Sequence, residues 1–247
     1  MMRSLIQEEK CHVYQLPPFR GVERFIVTTP ETRDICNDPF ILGTAYTSRL
    51  QRAMTRALEA LKLADKAVGE ERNAVVQCIL RGGLNFELRN ALAEAYGWEQ
   101  HSGGFFSSQR AFGGKKGWHI TEANYQKPIL IQDADWVIAD VVATGVSLEH
   151  TLLRLIHKSR KKGKSVRRIT FFTIGSARAQ DLVAQADALC RKAFQNHYLG
   201  AKVVYIEGIF GVGEEDSPLR IVTPGTDLLR HPAKLAPEFL ESQSEHA

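Results

Sequence analysis

Cysteine is scarce and scattered in this 247-residue chain. Cys11, Cys36, Cys78 and Cys190 never form a C-x-x-C pair. That spacing excludes a zinc ribbon and a disulfide framework, and it fits a reducing compartment. The eight histidines are dispersed too, with no H-E-x-x-H and no Cys/His cluster, so no protein-ligated transition metal is expected. No apolar run approaches the roughly 20 residues that a membrane helix needs. Residues 1–21 carry acids where a signal peptide would be apolar, so a cytoplasmic protein without membrane contact is expected. There is no internal repeat and no low-complexity stretch. What remains is an ordinary globular composition, 44% hydrophobic and 24% charged, with a formal net charge of +4. The mild excess of cations suits an anionic ligand such as a phosphate compound.

The pattern along the chain alternates. Residues 1–45, with Pro17, Pro18, Pro30 and Pro39, read as an irregular segment holding at most one edge strand near 22–28. Leu50, Met54, Ala57, Leu58, Leu61, Ala64 and Val68 share one face of a helix over 49–68. Buried strands are then predicted at 74–80, 136–140, 168–174 and 202–207, separated by helices at 86–96, 148–160 and 178–194. Strand, turn and helix repeating in this way imply a parallel sheet covered on both faces. Between the first two of these strands lies a long Gly- and Ser-rich stretch, and such insertions are usually lids or binding loops. Its strand-forming pieces at 104–108 and 118–121 predict a hairpin flap over about 103–127. The expected architecture is therefore α/β, a three-layer parallel sheet over 46–230 with a flexible flap. Residues 1–45 would contribute a small hood, and 231–247 a polar tail.

The chemistry concentrates in Trp136 to Leu148, WVIADVVATGVSL. A buried strand ends in one acid, Asp140, and a short loop turns directly into a helix beginning near Ser147. The first amides of a helix lack intrahelical partners, and the helix dipole adds partial positive charge there, which makes an anion cradle. Gly145 would let the backbone approach a phosphate, while Thr144 and Ser147 offer hydroxyls. Asp140 stands where an open α/β sheet places its ligand and can accept from the vicinal hydroxyls of a ribose. One acid beside one phosphate cradle points to a ribose 5-phosphate. The competing reading is a plain βα turn with an N-capping Ser147.

This stretch resembles the phosphoribosyl-pyrophosphate (PRPP) signature of the type I phosphoribosyltransferases. Val137, Ile138, Asp140, Ala143, Thr144, Gly145 and Ser147 agree with it. Two positions depart: the family has two adjacent acids where this chain has Ala139 and Asp140, and it often has Gly at the position of Val146. A second stretch, ILRGGLNFELRNAL from Ile79 to Leu92, is similar to the family's pyrophosphate loop, most of all in the uracil phosphoribosyltransferase branch. The hairpin region with Arg110 and the late stretch Ile221 to Asp227 (IVTPGTD) are weaker likenesses, to a flap and a base-reading loop.

The resemblance implies transfer of phosphoribose from PRPP to a nucleobase, with a uracil-like pyrimidine favoured, and release of pyrophosphate. Asp140 and Arg110 would be the catalytic residues, and Ala143, Thr144, Gly145, Val146 and Ser147 would hold the 5′-phosphate. Arg81, Gly82, Gly83, Lys115 and Lys116 would meet the pyrophosphate, and Thr223, Gly225 and Asp227 the base. Mg2+ would be held mainly by PRPP rather than by protein ligands. A homodimer is implied as well. Restoring an acid by Ala139→Asp would then raise transfer activity. Ala139 also leaves open a PRPP- or nucleotide-binding regulator with little turnover on the same fold. The basic run from Lys158 to Arg168 sits at a predicted helix end without stacking aromatics, so nucleic acid is not expected.

Overall fold

The computed structural model describes residues 2–8, 10–38, 40–41, 43–80, 82–112 and 118–211. Nine strands form one sheet: β1 (Arg3–Glu8), β2 (Cys11–Phe19), β3 (Val22–Thr28), β4 (Ala74–Leu80), β5 (Ser102–Phe112), β6 (Trp118–Lys127), β7 (Ala134–Val142), β8 (Val166–Gly175) and β9 (Gly200–Ile209). Their spatial order is β1-β2-β3-β9-β8-β7-β4-β5-β6. The stretch from β3 to β5 is parallel throughout, and an antiparallel strand or ribbon flanks it on either side. Among the described residues five helices cover it: α1 (Pro30–Asn37), α2 (Gly43–Leu63), α3 (Leu88–Tyr96), α4 (Val146–Lys161) and α5 (Arg178–Phe194).

The layers follow from the alternation of each strand. Trp136, Ile138 and Val142 of β7 join the apolar cluster built with α4 and α5. Val137, Ala139 and Val141 join the opposite cluster, built with α1, α2 and α3. Period-two side chains on a sheet buried on both faces give this split directly, and it makes the fold a three-layer α/β sandwich.

Residues 3–28 are not an irregular hood. They form three strands of the main sheet, and β3 lies inside it, parallel to β9 with Phe25 beside Val204. Pro17 and Pro18 interrupted the alternation that would have revealed them. They fall where β2 has run past β1 and where its register with β3 shifts, so neither leaves a ladder bond unmade. The helix expected over 49–68 is shifted towards the N-terminus. It ends because Asp65 takes a left-handed conformation, with the Lys66 amide donating back to the Leu61 carbonyl at 2.7 Å. The insertion does form a hairpin, longer than expected, with Phe105 opposite Lys127 and Phe112 opposite Trp118. Its base is tied down: buried Gln77 of β4 donates to the Ile129 carbonyl at 2.9 Å, and Gln126 lies 3.1 Å from His150 of α4. No helix of the described residues is long and apolar enough to cross a membrane. The tail at 231–247 lies outside the described residues.

Candidate functional site

The six parallel strands end on the same edge of the sheet, and three of the turns leaving that edge meet around β7. The first turn is 82–87, leading from β4 into α3 through a 3-10 turn (Gly82–Phe86). Gly83 is buried, and a Cβ there would stand 2.6 Å from the Ala139 carbonyl oxygen. Glycine is therefore required because this loop presses on the backbone of β7.

The second turn is 143–145. Asp140 is 7% exposed and pairs in register with Thr173 of β8. Its Oδ1 accepts from the Val141 amide at 2.9 Å. Alternation puts Asp140 on the α4/α5 side of β7, whereas Ala139 points into the apolar layer beneath α2 and α3. An acid at 139 would therefore enter that core and would not join Asp140. Helix α4 begins at Val146, one residue before the expected start, with Gly145 as its N-cap at φ +77° and no side-chain cap among the described residues. Ser147 is thus inside the first turn, and the N-capping alternative does not hold. Gly145 has a packing reason as well, since a Cβ there would stand 2.5 Å from Leu182 Cδ1. Val146 has a negative φ, so its side chain causes no strain. The Thr144 hydroxyl is buried without a hydrogen-bond partner among the described residues.

The third turn is 176–177. The Ser176 amide donates to the Val142 carbonyl at 2.8 Å, and its hydroxyl donates to the Ala143 carbonyl at 2.8 Å. These two bonds fix the loop that carries Thr144 and Gly145. Arg178 follows at the start of α5. Its Cγ would stand 3.1 Å from a Cβ on Gly145, and its guanidinium pairs with Glu149 of α4 at 3.8 Å. This half-exposed cation beside the cradle went unnoticed in the sequence. Its signal was present, as the first helical residue of the βα turn next to Asp140.

A second unnoticed residue is Glu207. Residues 206–208 of β9 oppose the single Ile174 of β8, and Glu207 takes φ +67° at this bulge. Its buried carboxylate accepts from the hydroxyls of Thr28 at 2.6 Å and Thr32 at 2.7 Å, and from Arg33 Nε at 3.3 Å. Burial pushes its pKa up from the ordinary carboxylate value despite those donors. It ties α1 to the end of β9 and lends no free acid to the site.

Several expected residues are not placed. Arg81, Lys115, Lys116, Thr223, Gly225 and Asp227 lie outside the described residues, and only the backbone of Arg110 is described, opposite Ile120. The structure brings together Asp140, Thr144, Gly145, Ser147 and Gly83, and adds Arg178.

No protein-family model and no curated protein matches the chain. Among solved structures it is similar to a purine phosphoribosyltransferase from Pyrococcus horikoshii, at 15% identity over 67% of this chain and 89% of that one, with a TM-score of 0.34. A mutant hypoxanthine phosphoribosyltransferase from Trypanosoma cruzi complexed with IMP is 14% identical over 82% and 85%, with a TM-score of 0.36. A hypoxanthine phosphoribosyltransferase from Staphylococcus aureus is 18% identical over 64% and 74%, with a TM-score of 0.35. The similarity is distant, and the α/β assignment rests on the sheet topology above.

Proposed function

We propose that the chain is a phosphoribosyltransferase, moving phosphoribose from PRPP to a nucleobase and releasing pyrophosphate. The observation that supports this best is the Asp140–Ser147 turn. One buried carboxylate near the end of a central parallel strand is followed by a helix N-terminus that no side chain caps among the described residues. A ribose 5-phosphate matches that pair of features. The carboxylate accepts from the ribose hydroxyls, and the amides of 143–147 with the Thr144 hydroxyl receive the phosphate.

Asp140 then orients the ribose and favours the positive charge that grows at C1 as the bond to pyrophosphate lengthens. Gly82 and Gly83, with Arg81, Arg110, Lys115 and Lys116, are proposed to receive the departing diphosphate. The hairpin over 102–127 would exclude water once it closes. The donor set here is a single carboxylate among hydroxyls and amides. It suits Mg2+ carried in on PRPP oxygens, with Asp140 as the protein's contribution, and the ion would neutralise diphosphate charge. The acceptor we propose is a uracil-like pyrimidine, on the likeness of residues 79–92, and the assembly we propose is a homodimer. A second reading, a PRPP-binding regulator with little turnover, is favoured by one observation: Ala139 is a core residue of the apolar layer.

The test is calorimetric titration of PRPP with Mg2+ into wild type and Asp140→Asn, followed by a pyrophosphate assay against uracil, hypoxanthine, guanine and adenine. Saturable binding weakened about tenfold or more in a well-folded Asp140→Asn is expected, with pyrophosphate released for one base. Binding without release for any base favours the regulator. Unchanged affinity in the variant overturns the site.

A further inference from the structure

A second cleft lies at the other end of α4. That helix has 16 residues and so spans about 24 Å. Its N-terminus forms the cradle, and its C-terminus meets the turn into β8, the turn after α5 and the segment before β7. Between them is a cavity of about 530 Å³, lined among others by Gln132, Arg160, Lys164, Ser165, Asn196 and His197. It is independent of the reading above and shares no residue with it.

We infer that this cleft is a site for a nucleotide-sized phosphorylated ligand. Its volume falls within the usual range for small-molecule sites, about 300–1,000 Å³. None of its lining residues carries a carboxylate. The nearby Arg167 and Arg168 are committed to Asp135, and Arg191 to Asp187. Arg160 and Lys164, by contrast, have no ion pair among the described residues. His197 stands beside them, its Nδ1 3.0 Å from the part-exposed carboxylate of Asp133, which borders the cleft. Gln132 donates to the Ser165 hydroxyl at 2.6 Å, which fixes one polar wall, and Ala193 and Phe194 supply an apolar one. Gln195 on the same rim takes φ +46° with ψ −120°, a strained conformation for a residue with a side chain. Of the two rings on the lining, Phe194 is buried and His197 alone is exposed, so successive bases of a strand have no run of aromatic surfaces to stack on. A single small ligand therefore fits better than a nucleic acid.

The experiment is calorimetry on the full chain with inorganic phosphate, AMP, GMP, UMP and an oligouridylate, each at two salt concentrations. We expect one nucleoside monophosphate to bind saturably. The Arg160→Ala/Lys164→Ala double variant should weaken it at least about tenfold with its melting temperature retained. Asn196→Trp, which fills the cleft and keeps both cations, should weaken it similarly, and in Asp140→Asn, where product binding at the cradle is weakened, the cleft binding should remain. The inference is overturned if no phosphate compound binds, if only the oligouridylate binds with a steep salt dependence, or if binding survives both cleft variants and is lost in Asp140→Asn. PRPP binding in the double variant stays as in wild type, so failure here is separable from failure of the transferase reading.

Discussion

The carbonyl oxygen of Ala139 lies 2.6 Å from where a β-carbon on Gly83 would sit. The loop proposed to meet the diphosphate thus touches, through backbone alone, the strand that carries Asp140. A methyl group at 83 cannot be absorbed by rotating a side chain, because its neighbour is main chain. Gly83→Ala is expected to destabilise the fold by roughly 1–3 kcal/mol, in line with overpacking of a dense interior. Urea unfolding measures this, and PRPP titration of the folded variant should show weaker binding as the loop and the strand part.

Ala139→Asp should damage the protein and not improve it. The side chain is 1% exposed, in the cluster that also holds Val137, Val141, Phe86 and Leu88. An unpaired carboxylate there loses its hydration, at a cost of roughly several kcal/mol. Thermal unfolding at neutral pH should show a large fall in melting temperature, while Ala139→Ser should be much milder. An Ala139→Asp protein as stable as wild type and more active would return the position to the ribose site.

Thr144→Val separates a binding role from a structural one. The buried hydroxyl makes no bond among the described residues, so its removal leaves none of them unsatisfied and should cost less than about 1 kcal/mol. If that hydroxyl receives a phosphate oxygen, PRPP affinity should still fall about tenfold. Denaturant midpoints and calorimetry on the same samples give both quantities.

Lys202 provides a pH signature at the opposite edge of the sheet. Its ammonium is mostly buried and donates to the Lys66 carbonyl at 2.9 Å and the Ala67 carbonyl at 3.0 Å. Burial lowers its pKa to about 8, with Arg168 and Lys66 pushing the same way against the opposite pull of Glu23 and Asp135. The unfolded chain binds this proton up to about pH 10.4, so between the two values it holds more protons than the native state. Stability should therefore rise with pH across that window relative to Lys202→Met. Melting curves from pH 7.5 to 10 for both proteins test it, and parallel curves would remove Lys202 as the cause.

The strands at 74–80, 134–142, 166–175 and 200–209 and the helices after the first three of them were legible in the sequence. Each buries a face whose period is local, so the hydrophobic pattern reports it without knowledge of its neighbours. The Asp140–Ser147 turn was legible for the same reason: strand end, acid, glycine and helix start are consecutive residues. Of the N-terminal strands, β3 was legible, though as an edge strand, and β1 and β2 were not. β3 is an inner strand only because β9, over 170 residues later, lies beside it, and Pro17 and Pro18 hide the alternation of β2.

Tertiary structure alone decided which side chains meet. It turned Ala139 into the core and Asp140 to the other face, although the two are adjacent in sequence, because neighbouring residues of a strand point to opposite sides. It brought Arg178 to Gly145 from the next βα unit and locked Glu207 between β9 and α1. It also opened a cleft where two helix ends and a strand start converge. Local periodicity specified the elements, whereas the order of strands in the sheet, a long-range choice among pairings, specified the site.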